Sequence, residues 1–319
     1  MQTSLRISDS TAGCVAPFAT MLAEKRLRPR SPSVPVAHAA EGNFSENAEV
    51  RAFEDYLARA YERCSMADSE ALHDPSRRLE DWYFPLKAKS SRITSPVLID
   101  GYNRKLFAPD HERILLVGPP GSGKTTALRF LFLACIRANA GTPFYVQLRW
   151  LSPRRTVLDV IREELNAEAD GLDNQRLLAL IRRGGFVFLL DGLNEICPAH
   201  GQKVLGQFRD FVESARGNQI VLTARSDTPP TAAFDFVRLT LEPLALREAF
   251  DLIKRRGSHE GLAQHIIGKI TKDTSRALRE FLTNPLRAAM LYKSYELMRR
   301  ACPSPPLGPP PASGLALAE

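Results

Sequence analysis

The run Gly118-Pro119-Pro120-Gly121-Ser122-Gly123-Lys124-Thr125 constrains this chain more than any other stretch. Ahead of it stands Ile114-Leu115-Leu116-Val117, an apolar run of strand length, and behind it residues 126–133 carry a helical pattern. Glycines permit backbone turns that a Cβ would forbid, so main-chain N–H groups can close around an anion. The helix that follows adds the positive end of its dipole at the same point. Strand, glycine loop and helix in this order point to a nucleotide phosphate site, whereas a glycine-rich turn without a ligand needs no such flanks. Lys124 is placed to reach β- and γ-phosphates as a point charge, and Thr125 to offer a hydroxyl to Mg²⁺; Thr126 opens the helix beside them.

The rest of the middle region alternates in the same style. Apolar runs at 114–117, 143–148, 186–190, 219–223 and 236–239 are separated by helical stretches at 124–138, 156–167, 173–183, 201–216 and 245–256. Strands that are apolar on both faces and joined through helices predict an α/β fold, a parallel five-stranded sheet with helices on both faces. Ligands in such sheets sit at the carboxyl ends of the strands, where the glycine loop lies. Beyond Glu242-Pro243-Leu244 the pattern is helical only, with stretches at 260–283 and 284–300, and it predicts a small helical domain.

The chain divides into a flexible leader at 1–42, an N-terminal amphipathic helix region at 43–78, the sheet domain at 79–243, a helical subdomain at 244–301 and a disordered proline-rich tail at 302–319. Val50, Phe53, Leu57, Tyr61 and Cys64 recur at helical spacing, as a helix packed on the following domain requires; a separate effector module is the alternative. Trp82-Tyr83-Phe84-Pro85-Leu86 forms an apolar lead-in, followed by a polar loop to Asp110. Lys and Arg number 43 against 36 Asp and Glu, a net charge of +7 spread over short pairs such as Arg182-Arg183. Solvated helix faces account for such pairs, and no aromatic-interleaved stripe accompanies them to favour nucleic acid. The five cysteines, Cys14, Cys64, Cys135, Cys197 and Cys302, have no metal spacing and read as reduced thiols of a cytoplasmic protein. No apolar stretch reaches the ~18 residues of a membrane span.

Hydrolysis needs acidic groups as well as a phosphate loop. Phe186-Val187-Phe188-Leu189-Leu190-Asp191 delivers a carboxylate at the end of a buried strand, placing Asp191 to hold Mg²⁺ directly or through water. Glu195, after Gly192-Leu193-Asn194, is the nearest remaining carboxylate and the choice for polarising the attacking water; a surface carboxylate is the other reading. Ile220-Val221-Leu222-Thr223-Ala224-Arg225 brings a third set of polar residues to the same edge. Arg225 either contacts a γ-phosphate or pairs with an acid at the surface.

With these residues in place the chain resembles the NACHT group of STAND nucleotide switches, within the AAA+-related P-loop NTPases. The resemblance is carried by the glycine loop (Walker A), by Leu189-Leu190-Asp191-Gly192-Leu193-Asn194-Glu195 (Walker B), by Thr223-Ala224-Arg225 and by Leu282-Thr283-Asn284-Pro285-Leu286. Tyr83-Phe84-Pro85-Leu86 and Leu241-Glu242-Pro243-Leu244 match shorter family segments, so that the likeness spans roughly 80–300. It implies ATP (or dATP)/ADP with Mg²⁺ as ligands, Pro285 near the base, weak ATPase activity, self-association or assembly with related subunits, and a place in defence or stress signalling. Two features depart from the family. An acid commonly stands where this chain has Asn194, and an amide cannot take a proton. The family's winged-helix and repeat sensor regions have no counterpart, and no repeat of 20–50 residues is visible. Two other functions stay open: a working AAA+-like ATPase acting on protein or nucleic acid, and a truncated, non-catalytic interaction subunit.

Overall fold

The computed structural model describes residues 41–66, 77–90, 96–103, 106–107, 112–166, 172–196, 201–227, 235–257, 259–272 and 275–301. The expected leader, except for its last two residues, and the expected proline-rich tail lie outside them, as do Cys14, Cys197 and Cys302.

A seven-stranded sheet in the order β2-β1-β7-β3-β6-β5-β4 organises the α/β fold. Its five parallel strands are β3 (Arg113–Gly118), β4 (Thr142–Gln147), β5 (Phe186–Asp191), β6 (Gln219–Arg225) and β7 (Val237–Leu241), within two residues of the expected runs. Every residue of β5 is buried, as a strand covered on both faces must be. The two further strands, β1 (Leu86–Lys89) and β2 (Val97–Ile99), pair with each other and with β7 in antiparallel fashion. They correct the expectation of a five-stranded sheet with a polar loop before Asp110. Leu86-Lys87-Ala88-Lys89 alternates buried and exposed, so Lys87 and Lys89 look out to Glu248 and Glu242 and mask the strand in an apolar reading.

The helices are α1 (Glu41–Ser65), α2 (Leu79–Trp82), α3 (Lys124–Arg137), α4 (Val157–Glu164), α5 (Asn174–Arg182), α6 (Gly201–Ser214), α7 (Leu246–Arg256), α8 (Glu260–Lys272), α9 (Arg276–Leu282) and α10 (Pro285–Ala301). Helix α4 starts where Thr156 and Asp159 close a reciprocal capping box. The helix expected at 260–283 is two helices, because Ser275 caps a new start by accepting the Leu278 N–H. Helices α7 to α10 pack on one another after the sheet ends.

Helix α1 belongs to the same core as the sheet. Phe53, Tyr56 and Leu57 are fully buried, and Tyr56 stacks on Phe144 of β4 at 4.7 Å between ring centres. Each such side chain contributes about 2 kcal/mol by leaving water. Cys64 and Cys135 are buried, and burial pushes the Cys135 thiol up to about 12. Among the described residues no helix is long and apolar enough to cross a membrane.

Candidate nucleotide site

The ends of β3, β5 and β6 are adjacent because these strands are neighbours in the sheet, and three functional segments meet there. Gly118 pairs with Arg225 and Leu190 with Leu222 in the parallel register. This brings the start of the glycine loop, the carboxylate of Asp191 and the tip of β6 to one edge. A cleft of about 350 Å³ opens at that edge.

Lys124, Thr125, Asp191, Glu195 and Arg225 line one end of the cleft, together with Pro120, Gly121, Gly123 and Thr126 of the loop. Gly118, Pro119 and Ser122 do not line it; they hold Lys124. The Lys124 ammonium donates to the carbonyls of Gly118 (2.8 Å) and Pro119 (3.0 Å), and Ser122 packs beneath with its N–H on the Pro119 carbonyl. Burial keeps the Lys124 ammonium below the ordinary lysine value; Asp191 pulls it back up and Arg225 pushes it down again.

The loop requires its glycines. Gly121 has φ +77°, and a Cβ there would lie 2.7 Å from Asn284 Oδ1; Gly123 has φ +90°, and its Cβ would meet Leu86 at 2.9 Å. The space around the loop is therefore closed on two sides by the chain itself and open toward the cleft.

Asp191 is buried, and each of its oxygens accepts one hydrogen bond. Thr223 Oγ1 donates to Oδ1 at 2.6 Å, and the Tyr145 hydroxyl donates to Oδ2 at 3.0 Å. Thr223 also accepts the Gly192 N–H at 2.8 Å, which pins the turn after β5. Each carboxylate oxygen keeps lone-pair capacity facing the cleft. One carboxylate, one threonine hydroxyl and room for phosphate oxygens and water suit a Mg²⁺ ion, which sheds its waters reluctantly. Glu195 is exposed at the end of a 3₁₀ turn, Leu193–Glu195, that starts from Gly192 in the left-handed region. Asn194 uses its side-chain oxygen to accept the Arg225 N–H at 3.1 Å, which ties the turn after β5 to the end of β6.

The rest of the lining, its apolar end, comes from three distant segments: Trp82, Tyr83, Phe84 and Leu86; Leu252 and Arg256 of α7; and Pro285, Leu286 and Ala289 of α10. Arg256 lies over the Trp82 ring, 3.9 Å from its centre, and the Arg255 guanidinium donates to the Tyr83 carbonyl. Pro285 belongs to this part of the lining. The helical region also grips the loop directly. Asn284 Nδ2 donates to the Pro120 carbonyl at 2.9 Å, and the Leu286 N–H donates to the Gly121 carbonyl at 3.1 Å.

The sequence reading missed Tyr145 as a partner of Asp191, and missed Trp82, Leu252 and Arg256 as cleft residues. Tyr145 gives one faint signal: a polar-tipped residue two positions before the end of a buried strand. For Leu252 and Arg256 there is none, since they read as an ordinary helix face.

Comparison with known proteins follows this geometry. Residues 112–260 match the family model of the NACHT domain. No curated protein matches the chain. Among solved structures, two variants of RuvB from Thermotoga maritima align at 18% and 16% identity with TM-scores of 0.35 and 0.37. Each alignment covers 63% of this chain, and 59% and 60% of the respective RuvB chain. PCH-2 of C. elegans aligns at 14% identity and a TM-score of 0.32, over 63% of this chain and 66% of that one. The chain thus spans roughly three fifths to two thirds of the length of the solved structures it matches.

Proposed function

We propose that this chain, which carries a NACHT-type P-loop NTPase domain over residues 112–260, works as an ATP-dependent conformational switch and assembly core. Nucleotide and Mg²⁺ are the ligands of such domains in general; this chain would hold ATP or dATP in one state and ADP in the other. The phosphates would lie against the Gly118–Thr125 loop with Lys124 moved onto them, and Thr125 and Asp191 would hold Mg²⁺. The metal would neutralise phosphate charge. Glu195 would orient water, and Arg225, at the rim, would meet a γ-phosphate. The adenine would lie between Trp82 and Pro285.

The observation that carries the reading is the pair of hydrogen bonds between loop and helical region, from Asn284 to Pro120 and from Leu286 to Gly121. Any rearrangement of the loop around phosphate has to be felt by α10, and α10 carries Leu286, Met290, Leu297 and Met298 in exposed positions. A ligand can shift such an equilibrium only by binding one arrangement better than the other, and a γ-phosphate supplies that difference. By family resemblance the pathway would be defence or stress signalling in the cytoplasm.

Light scattering of the full chain with ATP·Mg²⁺, with ADP and without nucleotide tests the proposal. ATP-dependent oligomers are expected, and Lys124→Ala should abolish them together with nucleotide affinity, by about 100-fold or more. A chain that stays monomeric with ATP while turning it over rapidly would favour a working ATPase instead. Wild-type affinity in Lys124→Ala would remove the site from this cleft.

A further inference from the structure

We propose that Tyr145 is a positioning residue for Asp191, and that α1, through Tyr56, thereby helps set the metal dependence of the cleft. The inference rests on the reading of the cleft as a Mg²⁺–nucleotide site.

Gln147 stands opposite Asp191 in the β4–β5 register, and Tyr145 lies two residues before it on the same face of the sheet. The phenol runs along that face and ends at Asp191 Oδ2, 3.0 Å away. Its direction of donation is fixed by its other neighbour. Gln147 Nε2 donates to the phenol oxygen at 3.3 Å, so the phenol proton is left for the carboxylate, which can only accept.

The residue is held from every side. Arg129, one turn into the helix that follows the glycine loop, lies 5.6 Å from the ring centre. The Tyr145 main-chain N–H donates to the hydroxyl of Tyr56 at 3.2 Å. Because β4 lies at one edge of the sheet, this N–H faces no further strand among the described residues, and a fully buried phenol from α1 takes the place of one. Tyr56 is itself fixed by stacking on Phe144. A chain of contacts therefore runs from the N-terminal helix, through two tyrosines, to the carboxylate.

Packing alone does not require the hydroxyl, because phenylalanine fills the same space. What the hydroxyl adds is a second clamp on Asp191, opposite Thr223. With one bond on each oxygen, the carboxylate cannot rotate and has part of its lone-pair capacity committed. Such a carboxylate is suited to a metal that keeps its water shell, and poorly suited to a bidentate ligand role.

The test is titration of the full chain with a fluorescent ATP analogue, in Mg²⁺ and in EDTA, for wild type, Tyr145→Phe and Tyr56→Phe. The expected result is a fall of about 10-fold in the ratio of Mg²⁺ to EDTA affinity for Tyr145→Phe, and about 3-fold for Tyr56→Phe. Equal losses in both buffers would mean a merely structural role, and an unchanged ratio would mean none; either overturns the inference. An unchanged ratio in Tyr56→Phe alone removes the part assigned to α1. If Tyr145→Phe does not fold by circular dichroism, Gln147→Leu carries the test, with a fall of about 3-fold expected and no fall overturning it. A wild-type protein that binds the analogue equally with and without Mg²⁺ refutes Asp191 as the metal residue, and this inference falls with it.

Discussion

The two ends of the cleft are built in opposite ways. The proposed phosphate end uses one continuous loop and the tips of adjacent parallel strands, so main-chain hydrogen bonding fixes most of it. The apolar end is assembled from side chains of three segments that span more than 200 positions of the chain, held by stacking and by arginine bonds to carbonyls such as Arg255 to Tyr83. Backbone-built sites are intolerant of change, because each residue has a required conformation or charge. Side-chain-built sites spread their energy over several contacts, and each contact is worth less. The difference predicts that substitutions at the phosphate end act on chemistry and all-or-none binding, while those at the apolar end grade affinity.

The largest expected effect that separates chemistry from binding is at Glu195. Glu195→Gln keeps the size and exposure of the side chain and removes only its ability to take a proton or to hold water by charge. Turnover of ATP should fall by about 100-fold with affinity little changed, since the role proposed for the group is on the attacking water. Single-turnover kinetics beside equilibrium binding would show this. Equal turnover in the variant would return Glu195 to the role of a surface carboxylate and leave the base unassigned, since Asn194 is occupied with the Arg225 N–H and cannot serve.

The same contrast explains what was legible in the sequence. Residues whose role is set by strand order could be read: the loop follows one apolar run, Asp191 ends a second and Arg225 ends a third, so neighbouring strands bring them together. The five parallel strands were legible because their burial on two faces leaves unbroken apolar runs. Strands β1 and β2 were not, because an alternating four-residue strand with Lys87 and Lys89 looks like a polar loop. Tyr145 was hidden by its own strand, where a tyrosine is ordinary core material until its hydroxyl is seen on Asp191. Trp82 and Arg256 were hidden by distance. Their meeting depends on how α7 packs beside α2, which no local pattern encodes. Pro285 was reached only through family resemblance, not through any periodicity.

A second prediction concerns the apolar end. Trp82→Ala removes the ring on which Arg256 lies and one wall of the space assigned to the base. Stacking of a base on an aromatic side chain is worth about 1–3 kcal/mol, so affinity should weaken about 10-fold. The loss should be the same for ATP and ADP, because both carry the same base. Calorimetric titration with each nucleotide checks it. A loss confined to ATP would mean that Trp82 senses phosphate, and the division of the cleft into two ends would fail.

Arg225→Ala should give the smallest effect and the sharpest discrimination. Arg225 is exposed at the rim, so its guanidinium is well screened and cannot be worth what a buried charge is worth. Its main chain is fixed, since its N–H is held by Asn194 and its position beside Gly118 is set by strand register. Truncating the side chain therefore leaves the site standing and removes only the reach toward a third phosphate. The ratio of ATP to ADP affinity should fall by about 5-fold, with ADP affinity alone nearly constant. This is the reverse of the Trp82→Ala signature, in which both nucleotides weaken together. If Arg225→Ala weakens ATP and ADP alike, the side chain supports the loop and does not read the γ-phosphate. The switch would then depend on Lys124 and the metal pair alone to distinguish its two states.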